Sequence, residues 1–426
     1  MKRVVILCVW LFSVVAGHAQ LSLDECRRLA RENYPEIRQY DLVHQTEQYN
    51  LSNAARAWIP QIAFSAQATW QTDAPNFPKE LTGMLAQQGL EIPGLRKDQY
   101  KVALELNQTI WDGGKSVADK RIARAEAAEQ KTMTDVDLYE LEGRVDDLYF
   151  GILLLDERIA QTNLTLNLLR SNLEKVRALQ RNGVAMQSDA DVLEAELLSV
   201  GQQLIQFESS CDSYRRMLGI FIGQKVGDRK LQRPSAVQPL SGESARPELA
   251  MFAAKIDRLT AQEKMVKSSS MPRLGFFAQG YYGYPGLDYM QSMMNNDWSW
   301  NAMLGVKLSW NFGAYYTQKN NLNKLRTSRQ QVEVQRDVFL FNMNLQAAQE
   351  NGDIARLRKA IADDDRIVAL RRSVRKAAES KLRNGIIDTH DLLSKITDES
   401  TASMARSMRE IELLKAIYEY KHTINR

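Results

Sequence analysis

Apolar residues recur at alternating steps of three and four along 138–176, and Thr162 is the single polar member of this series. A seam sustained over so many heptads is the signature of a coiled coil. A second seam of the same kind covers 193–221, beyond Asn182-Gly183, which is a good helix stop. The pattern therefore predicts two long helices joined by a tight turn.

Four other segments alternate apolar and polar residues with a period of two, as membrane strands do. In the first of them, Ile62, Phe64 and Trp70 alternate with glutamine, serine and threonine. Aromatic residues gather near the distal strand ends, which is typical of an interfacial girdle. The alternative is two soluble hairpins packed on helices, but soluble strands do not usually carry aromatics at one end only. The predicted girdle consists of Trp70, Tyr281, Tyr282, Tyr284, Trp298 and Trp300.

The same landmarks occur twice in the same order, which indicates an internal duplication. In each half, two prolines 25 residues apart bracket a helical stretch, and a β-like region follows that ends in Trp-x-x-Gly. A long helical stretch then leads to Arg-Asn-Gly in both halves. The landmarks are Pro35, Pro60, Trp111, Gly114 and 181–183 in the first half, and Pro247, Pro272, Trp310, Gly313 and 383–385 in the second.

These patterns predict a mostly α-helical chain with a membrane β-barrel, in which a long coiled-coil barrel of helices accompanies four strands per chain. An open strand edge is intolerable in lipid, so four strands alone do not suffice. Because the smallest membrane barrels need about eight strands, several chains must share one, and three chains would supply twelve. The chain is predicted to consist of a signal peptide over 1–19, a first repeat over 20–223, a linker over 224–245 and a second repeat over 246–426. The first repeat should contain a helix at 35–59, strands at 61–72 and 100–111, a long helix at 114–181 and a helix at 187–223. The second repeat should contain a helix at 247–271, strands at 272–284 and 300–311, a long helix at 314–383 and a helix at 388–423.

The N-terminus has the features of a secretory signal peptide. Lys2 and Arg3 form a basic region, 4–15 is an apolar core too short to span a bilayer, and Ala19 ends a small-residue cleavage pattern. No later apolar run is long enough to cross a bilayer as a helix. We therefore expect a mature chain that is soluble outside the cytoplasm or that crosses a membrane as strands. A net charge of +4 over 426 residues gives no reason to expect a nucleic-acid partner.

The residue types needed for catalysis do not form a recognisable pattern. The sequence has no phosphate loop, nucleophile elbow or paired-carboxylate signature, so we expect neither enzymatic activity nor a cofactor. The histidines have no metal-ligand spacing. Cys26 and Cys211 lie on apolar helix faces, which favours buried free thiols over a disulfide. Met290, Met293 and Met294 have the softness that Cu(I) prefers, but an adaptable loop is the simpler interpretation.

The order, spacing and duplication of several short motifs resemble the TolC-like family of outer membrane efflux proteins over essentially all of 20–426. The resemblance implies a homotrimer with a twelve-stranded barrel in the outer membrane and a helical barrel that crosses the periplasm. It also implies an exit duct for a tripartite efflux pump or a type I secretion system, with a periplasmic adaptor and an inner-membrane transporter as partners. The motifs that carry the resemblance are 21–25, 33–36, Ile59-Pro60, 111–114 and the two Asn-Gly turns.

The family's periplasmic aperture follows the second interhelical turn in a pattern like Gly-x5-Asp-Val-Leu-Asp. Asp391 follows Gly385 at that spacing, whereas Ser394 replaces the second aspartate, which leaves Asp388 as a further candidate. Asp189 holds the corresponding place in the first repeat. The alternative interpretation is that these aspartates only favour the first turns of their helices through the helix dipole.

By the same resemblance, adaptor binding belongs to the two turns themselves. Two other classes of protein remain as alternatives. A periplasmic adaptor predicts a single hairpin and a lipoyl-like β-domain, and a structural coiled-coil protein leaves the amphipathic strands unexplained. The expected adaptor-binding residues are Asn182, Gly183, Val184, Asn384, Gly385 and Ile386.

Overall fold

The computed structural model describes residues 20–90, 92–235 and 244–425. The predicted signal peptide, 1–19, and the middle of the predicted linker lie outside these residues. The described part of the chain forms nine α-helices and four β-strands. The elements are α1 Leu23–Asn33, α2 Gln39–Arg56, β1 Gln61–Trp70, α3 Lys79–Gln87, β2 Asp98–Trp111, α4 Lys115–Arg181, α5 Gln187–Ile222, α6 Pro247–Ser268, β3 Arg273–Tyr284, α7 Tyr289–Asn295, β4 Ser299–Ser309, α8 Ala314–Arg383 and α9 Thr389–Ile424.

The chain folds into two compact units that do not coincide with the two sequence repeats. We call them the helical unit, which holds the described residues up to Gln39, within Thr132–Ala250 and from Arg336 onward, and the sheet unit, which holds those within Tyr40–Lys131 and Met251–Gln335. The long helix of each repeat contributes to both units, so each unit contains equivalent parts of both halves. The boundaries of the sequence repeats are therefore different from the boundaries of the two packing units.

Local sequence explains where two helices differ from their expected bounds. The stretch predicted as one helix over 35–59 begins as a 3-10 turn, Pro35–Arg38, because the proline pre-sets the first helical position, and α2 follows it. The helix predicted over 247–271 ends at Ser268. Its last serines donate their hydroxyls back to carbonyls three residues earlier, with Ser269 Oγ 2.7 Å from Val266 O, and such bonds compete with the helical ladder.

The helical unit is built on the seam of α4. Nine of the seam's apolar side chains from Leu138 to Val176 are less than a tenth exposed, and so is Thr162, whose hydroxyl has no hydrogen-bond partner among the described residues. Tyr149, beside the seam, is fully buried and donates its hydroxyl to Leu21 O at 2.8 Å. Leu21 in turn pairs with Leu231 as a short parallel bridge. The first described residues are thereby held against the described start of the predicted linker.

The sheet unit contains one antiparallel meander in the order β1-β2-β3-β4. The β2–β3 pairing joins the two hairpins, and therefore the two repeats, into a single sheet, with Leu104 opposite Gly280 and Leu106 opposite Ala278. A bulge interrupts this ladder between Thr109 and Trp111, just before the chain enters α4. The expectation of a mostly helical chain with four strands is confirmed.

Candidate functional site

The sheet presents its apolar residues outward on one face. The pairings place Phe64, Leu104, Gly280 and Ala302 in one cross-strand row. Ile62, Leu106, Ala278 and Leu304 form the next row on the same face. Leu304 is 74% exposed although it is a large aliphatic side chain in mid-strand. A soluble sheet buries this face, so the arrangement is inside-out relative to a sheet that packs on a core.

The opposite face carries the polar residues and is the more enclosed of the two. Ala103 is 2% exposed on this side, and Tyr281 beside it is also buried. Gln279 bridges two charged neighbours: it accepts a hydrogen bond from Lys101 Nζ at 3.1 Å and donates one to Glu105. We call this side of the sheet the polar face. A sheet that faces lipid shows this alternation, with apolar residues on the exposed face and polar residues on the enclosed face.

Each outer strand of the sheet has one unpaired edge. The strand order places β1 and β4 at the ends, and neither pairs on its outer side with any described residue. Their backbone N–H and C=O groups on these sides lack a ladder partner over ten and eleven residues. Such long, regular edges invite pairing with another chain.

The predicted aromatic girdle divides into exposed and buried members. Tyr282 packs against Trp298 at 5.3 Å and against Trp300 at 5.0 Å between ring centroids. These three rings and Trp70 are exposed. Tyr100 joins the cluster by stacking on Trp298 at 5.7 Å, and the sequence prediction missed it although it alternates in phase with Val102.

Tyr281 and Tyr284 do not share that exposure. Tyr281 lies on the polar face, under the Lys101 ammonium, which is 4.6 Å from the ring centroid. The hydroxyl of Tyr284 accepts a hydrogen bond from Arg96 N at 2.8 Å and bonds Asn296 Oδ1 at 2.5 Å. Tyr284 therefore ties the two distal connections of the sheet together, a role that the strand alternation did not suggest.

The two interhelical turns of the helical unit have the same hydrogen-bonding pattern. In the first turn, Gly183 N donates to Gln180 O at 3.0 Å and Val184 N to Leu179 O at 3.0 Å. In the second turn, the equivalent bonds from Gly385 and Ile386 are also 3.0 Å long. Both glycines have positive φ, +76° and +68°. Their lack of a Cβ is what allows the helix to end there.

Each turn exposes an apolar side chain at its tip. Val184 is 66% and Ile386 is 67% exposed, and Asn182, Asn384 and both glycines are exposed as well. Behind the tips, one apolar cluster joins both hairpins, with Leu173 and Leu193 from the first and Leu392 from the second. The tips are therefore rigidly supported, and their role in adaptor binding stays a prediction.

The four candidate aperture residues occupy different local environments. Asp388 caps α9 and accepts a hydrogen bond from Asp391 N at 2.7 Å. Asp189 caps α5 by accepting from Met186 N at 2.8 Å. Asp391 and Ser394 are exposed one turn apart on α9, and the Asp391 carboxylate has no partner among the described residues. Among the three candidate aspartates, Asp391 is thus the one whose carboxylate accepts no hydrogen bond from a described residue. Its place at an aperture stays a prediction.

In the described ranges, no helix combines the length and the apolar character that crossing a membrane requires. Within those same ranges, His, Cys, Asp and Glu side chains form no group of three or more that could hold a metal ion. Cys26 and Cys211 are buried free thiols, as expected.

Comparison with known proteins identifies the family of the matched segment and the fold. Residues 27–223 match the family model of outer membrane efflux proteins. No curated protein matches the chain. The fold is similar to that of the outer-membrane channel OprN, with a TM-score of 0.70 and 14% identity over 94% of this chain and 89% of that one.

Two further solved structures share this fold. The outer membrane protein VceC from Vibrio cholerae has a TM-score of 0.68 at 14% identity, with 94% of this chain and 95% of that chain covered. The CmeC outer membrane channel of Campylobacter jejuni has a TM-score of 0.65 at 14% identity, with 94% and 85% covered. The predicted resemblance to TolC-like outer membrane efflux proteins, and the outer membrane location that it implies, are confirmed by the family match together with these structures.

Proposed function

We propose that three copies of this chain form the outer membrane channel through which a transport machine releases its cargo. The premise is the confirmed resemblance to outer membrane efflux proteins. The observation that carries the proposal is the inside-out sheet, with exposed aliphatic side chains on one face and polar residues on the other. Burying this apolar face in lipid removes it from water, at about 25 cal/mol for each Å².

The unpaired edges of the sheet support closure by other copies. In lipid, each unsatisfied backbone group costs several kcal/mol, so the outer edges of β1 and β4 need partners. The four-stranded sheet is below the size of the smallest barrels, about eight strands, and threefold closure gives the twelve that the family resemblance implies. β4 of one copy would pair with β1 of the next.

The two turns of the helical unit are the surface that we propose for a periplasmic adaptor. Val184 and Ile386 present equivalent exposed apolar side chains on turns with matching hydrogen bonds. An adaptor that recognises one turn can therefore recognise the other in a similar way. This duplication supports a partnership with an adaptor and an inner-membrane transporter, in a tripartite pump or a type I secretion system.

A matched pair of substitutions tests the membrane face directly. Leu304 and Met303 are adjacent on β4 and point to opposite faces. Leu304→Arg places a charge on the apolar face, where the expected cost is about 2–4 kcal/mol at the bilayer midplane, while Met303→Arg places it on the polar face. We expect the first variant to be depleted from outer membranes washed with high salt, and the second to be retained.

The oligomeric state is measured on the purified wild-type protein. Its mass in detergent should correspond to three copies, and planar bilayers should show discrete conductance steps. A stable monomer, or release from membranes by salt, would instead favour a periplasmic adaptor or a structural coiled-coil protein. Equal membrane retention of both arginine variants would show that the apolar face does not meet lipid.

A further inference from the structure

The polar face of the sheet carries more cations than carboxylates. The pairings place Lys101, Glu105, Arg273 and Lys307 on this face, which amounts to three cations and one carboxylate. Gln279 links Lys101 to Glu105, so those two charges lie in one hydrogen-bonded group. The side chains of Arg273 and Lys307 form no ion pair or hydrogen bond with any described residue. The uncompensated charge is therefore concentrated at these two positions.

Arg273 and Lys307 are diagonal neighbours on adjacent strands. Arg273 lies opposite Ser309, and Lys307 lies opposite Gly275. Diagonal positions of an antiparallel pair are about 7–8 Å apart, which brings both side chains within reach of one bound group. Gly275, between them on the ladder, contributes no side chain to fill the space.

A cavity of about 350 Å³ lies over these residues, between the polar face and the first turns of α4. The carboxylates in its wall are already engaged. Asp112 accepts hydrogen bonds from Gly114 N at 2.9 Å and Ser116 N at 2.7 Å. Asp119 pairs with Lys115 at 2.7 Å. The cavity wall thus carries three cations and two carboxylates, a net charge of +1, and the hydrogen bonds to Asp112 stabilise its charge without cancelling it.

We infer that this cavity is a binding subsite for an oxyanion, such as the carboxylate, phosphate or sulfonate group of an exported molecule. The inference rests on the proposed channel, because it takes the polar face to line the conduit. Lipid phosphates are excluded as the ligand since lipid would meet the opposite, apolar face. Threefold assembly repeats the subsite, and the resulting ring of cations concentrates anionic cargo and disfavours cations.

Citrate serves as the anionic probe, and glucose as a neutral one, in planar bilayers that contain the purified wild-type channel. Citrate should reduce the chloride current at concentrations where glucose does not. The double variant Arg273→Gln with Lys307→Gln should raise the citrate concentration for half-block by at least about threefold, because each exposed charge contributes only modestly. The reversal potential in a salt gradient should shift toward cation preference.

The matched control exchanges the two cations. Arg273→Lys combined with Lys307→Arg keeps both charges, and should keep both the block and the reversal potential. If wild type and the glutamine double variant are blocked equally by citrate and have the same reversal potential, the subsite is refuted while the channel function stands. A wild-type protein that forms no pores refutes the proposed function itself, which separates the two failures.

Discussion

At the scale of single residues, hydrogen bonds to the nearby backbone distinguish aspartates that occupy similar positions in the sequence. Asp388 and Asp189 use their carboxylates as helix caps, whereas that of Asp391 has no such bond among the described residues. A carboxylate that already accepts backbone N–H groups contributes first to the helix end. The uncommitted carboxylate is the one available to act on ions in a pore.

We predict that Asp391→Asn shifts the ion selectivity of the reconstituted channel toward anions or weakens its block by divalent cations. Three such carboxylates around a threefold axis would attract cations as acidic rings do in other pores. Asp388→Asn is the matched control, because asparagine keeps the capping bond and removes one charge on the same turn. Planar-bilayer recordings compare the two. If the Asp391 variant conducts and selects like wild type, the constriction lies elsewhere and Asp391 only favours its helix.

The stability of the folded protein should depend on pH through His422. Burial, together with the nearby Arg246 and Arg27 guanidiniums, lowers its pKa from the usual 6.5 to about 4, although Asp147 acts in the opposite sense. The imidazole stacks on the Tyr139 ring at 4.1 Å. As the pH falls from 6.5 toward 4, the unfolded chain binds a proton that the folded chain does not, so the folded state loses stability.

The corresponding prediction compares wild type with His422→Phe, which keeps an aromatic ring and cannot titrate. The thermal midpoint of the wild type should fall relative to that of the variant between pH 6.5 and pH 4. Carboxylates titrate in the same range in both proteins, so the difference between them isolates the histidine. Circular dichroism at the helical minimum follows the transition. Parallel pH profiles would show that the pKa of His422 is not lowered in the folded protein.

At the scale of elements, the two hairpins of the helical unit combine apolar contacts and ion pairs in different proportions. The α4–α5 hairpin packs through apolar residues such as Leu169 and Leu193. Ion pairs also join α4 to α5, such as Arg177 with Glu194 at 2.6 Å, but the α8–α9 hairpin has a longer series, among them Arg371 with Asp398 at 2.7 Å and Arg372 with Glu399 at 3.1 Å. Charged residues therefore occupy more of the helix-facing positions in the second hairpin than in the first.

Alanine substitutions at two glycines, one in the turn after α8 and one inside α8, should change the stability of the folded protein in opposite directions. Gly385→Ala should destabilise the folded protein by about 1–2 kcal/mol, because φ is +68° there and an L-residue is strained in that region. Gly352→Ala, inside α8, should stabilise it by about 0.5–1 kcal/mol, because alanine is the better helix former. An added Cβ meets nothing within 4 Å at either site, so packing does not confuse the comparison.

Thermal midpoints measured under identical detergent conditions should therefore move in opposite directions for these two variants. Loss of stability at both positions would point to a contact with another chain at Gly352. No loss at Gly385 would show that the turn tolerates a different backbone conformation.

At the scale of the whole molecule, the two long connections of the sheet lie at the same end of the strands. The connection after β1 contains α3, and the connection after β3 contains α7. They contact each other, with Gly94 N donating to Met293 O at 3.1 Å. Outer-membrane barrels place their long connections outside the cell and their short turns inside. The proposed topology therefore makes both connections extracellular.

An epitope inserted after Gly89 tests this orientation on intact cells. Gly89 follows α3, has a positive φ of +79° and would have no atom within 4 Å of an added Cβ, so an insertion has room. We expect antibody labelling without disruption of the outer membrane. An epitope inserted after Gly183 is the control, and should be labelled only after disruption. Labelling in the reverse order would invert the proposed orientation.

The sequence by itself determined the elements of this protein and their order. The heptad seams placed α4 and α5, and the period-two alternation placed all four strands to within about two residues, as boundaries allow. The glycines at 183 and 385 marked the two turns because positive φ is a local requirement. These features depend on each residue's own backbone and on its immediate neighbours, which the sequence records directly.

Only the tertiary structure decided which faces meet. Pairing of β2 with β3 unites the repeats in one sheet, burial separates Tyr284 from the exposed Trp300, and the cavity brings Arg273 to the same wall as Lys307. Periodicity shows which residues share a face, but it carries no information about what lies opposite that face. The partners of a side chain, and with them its exposure and its free charge, come from contacts distant in the chain.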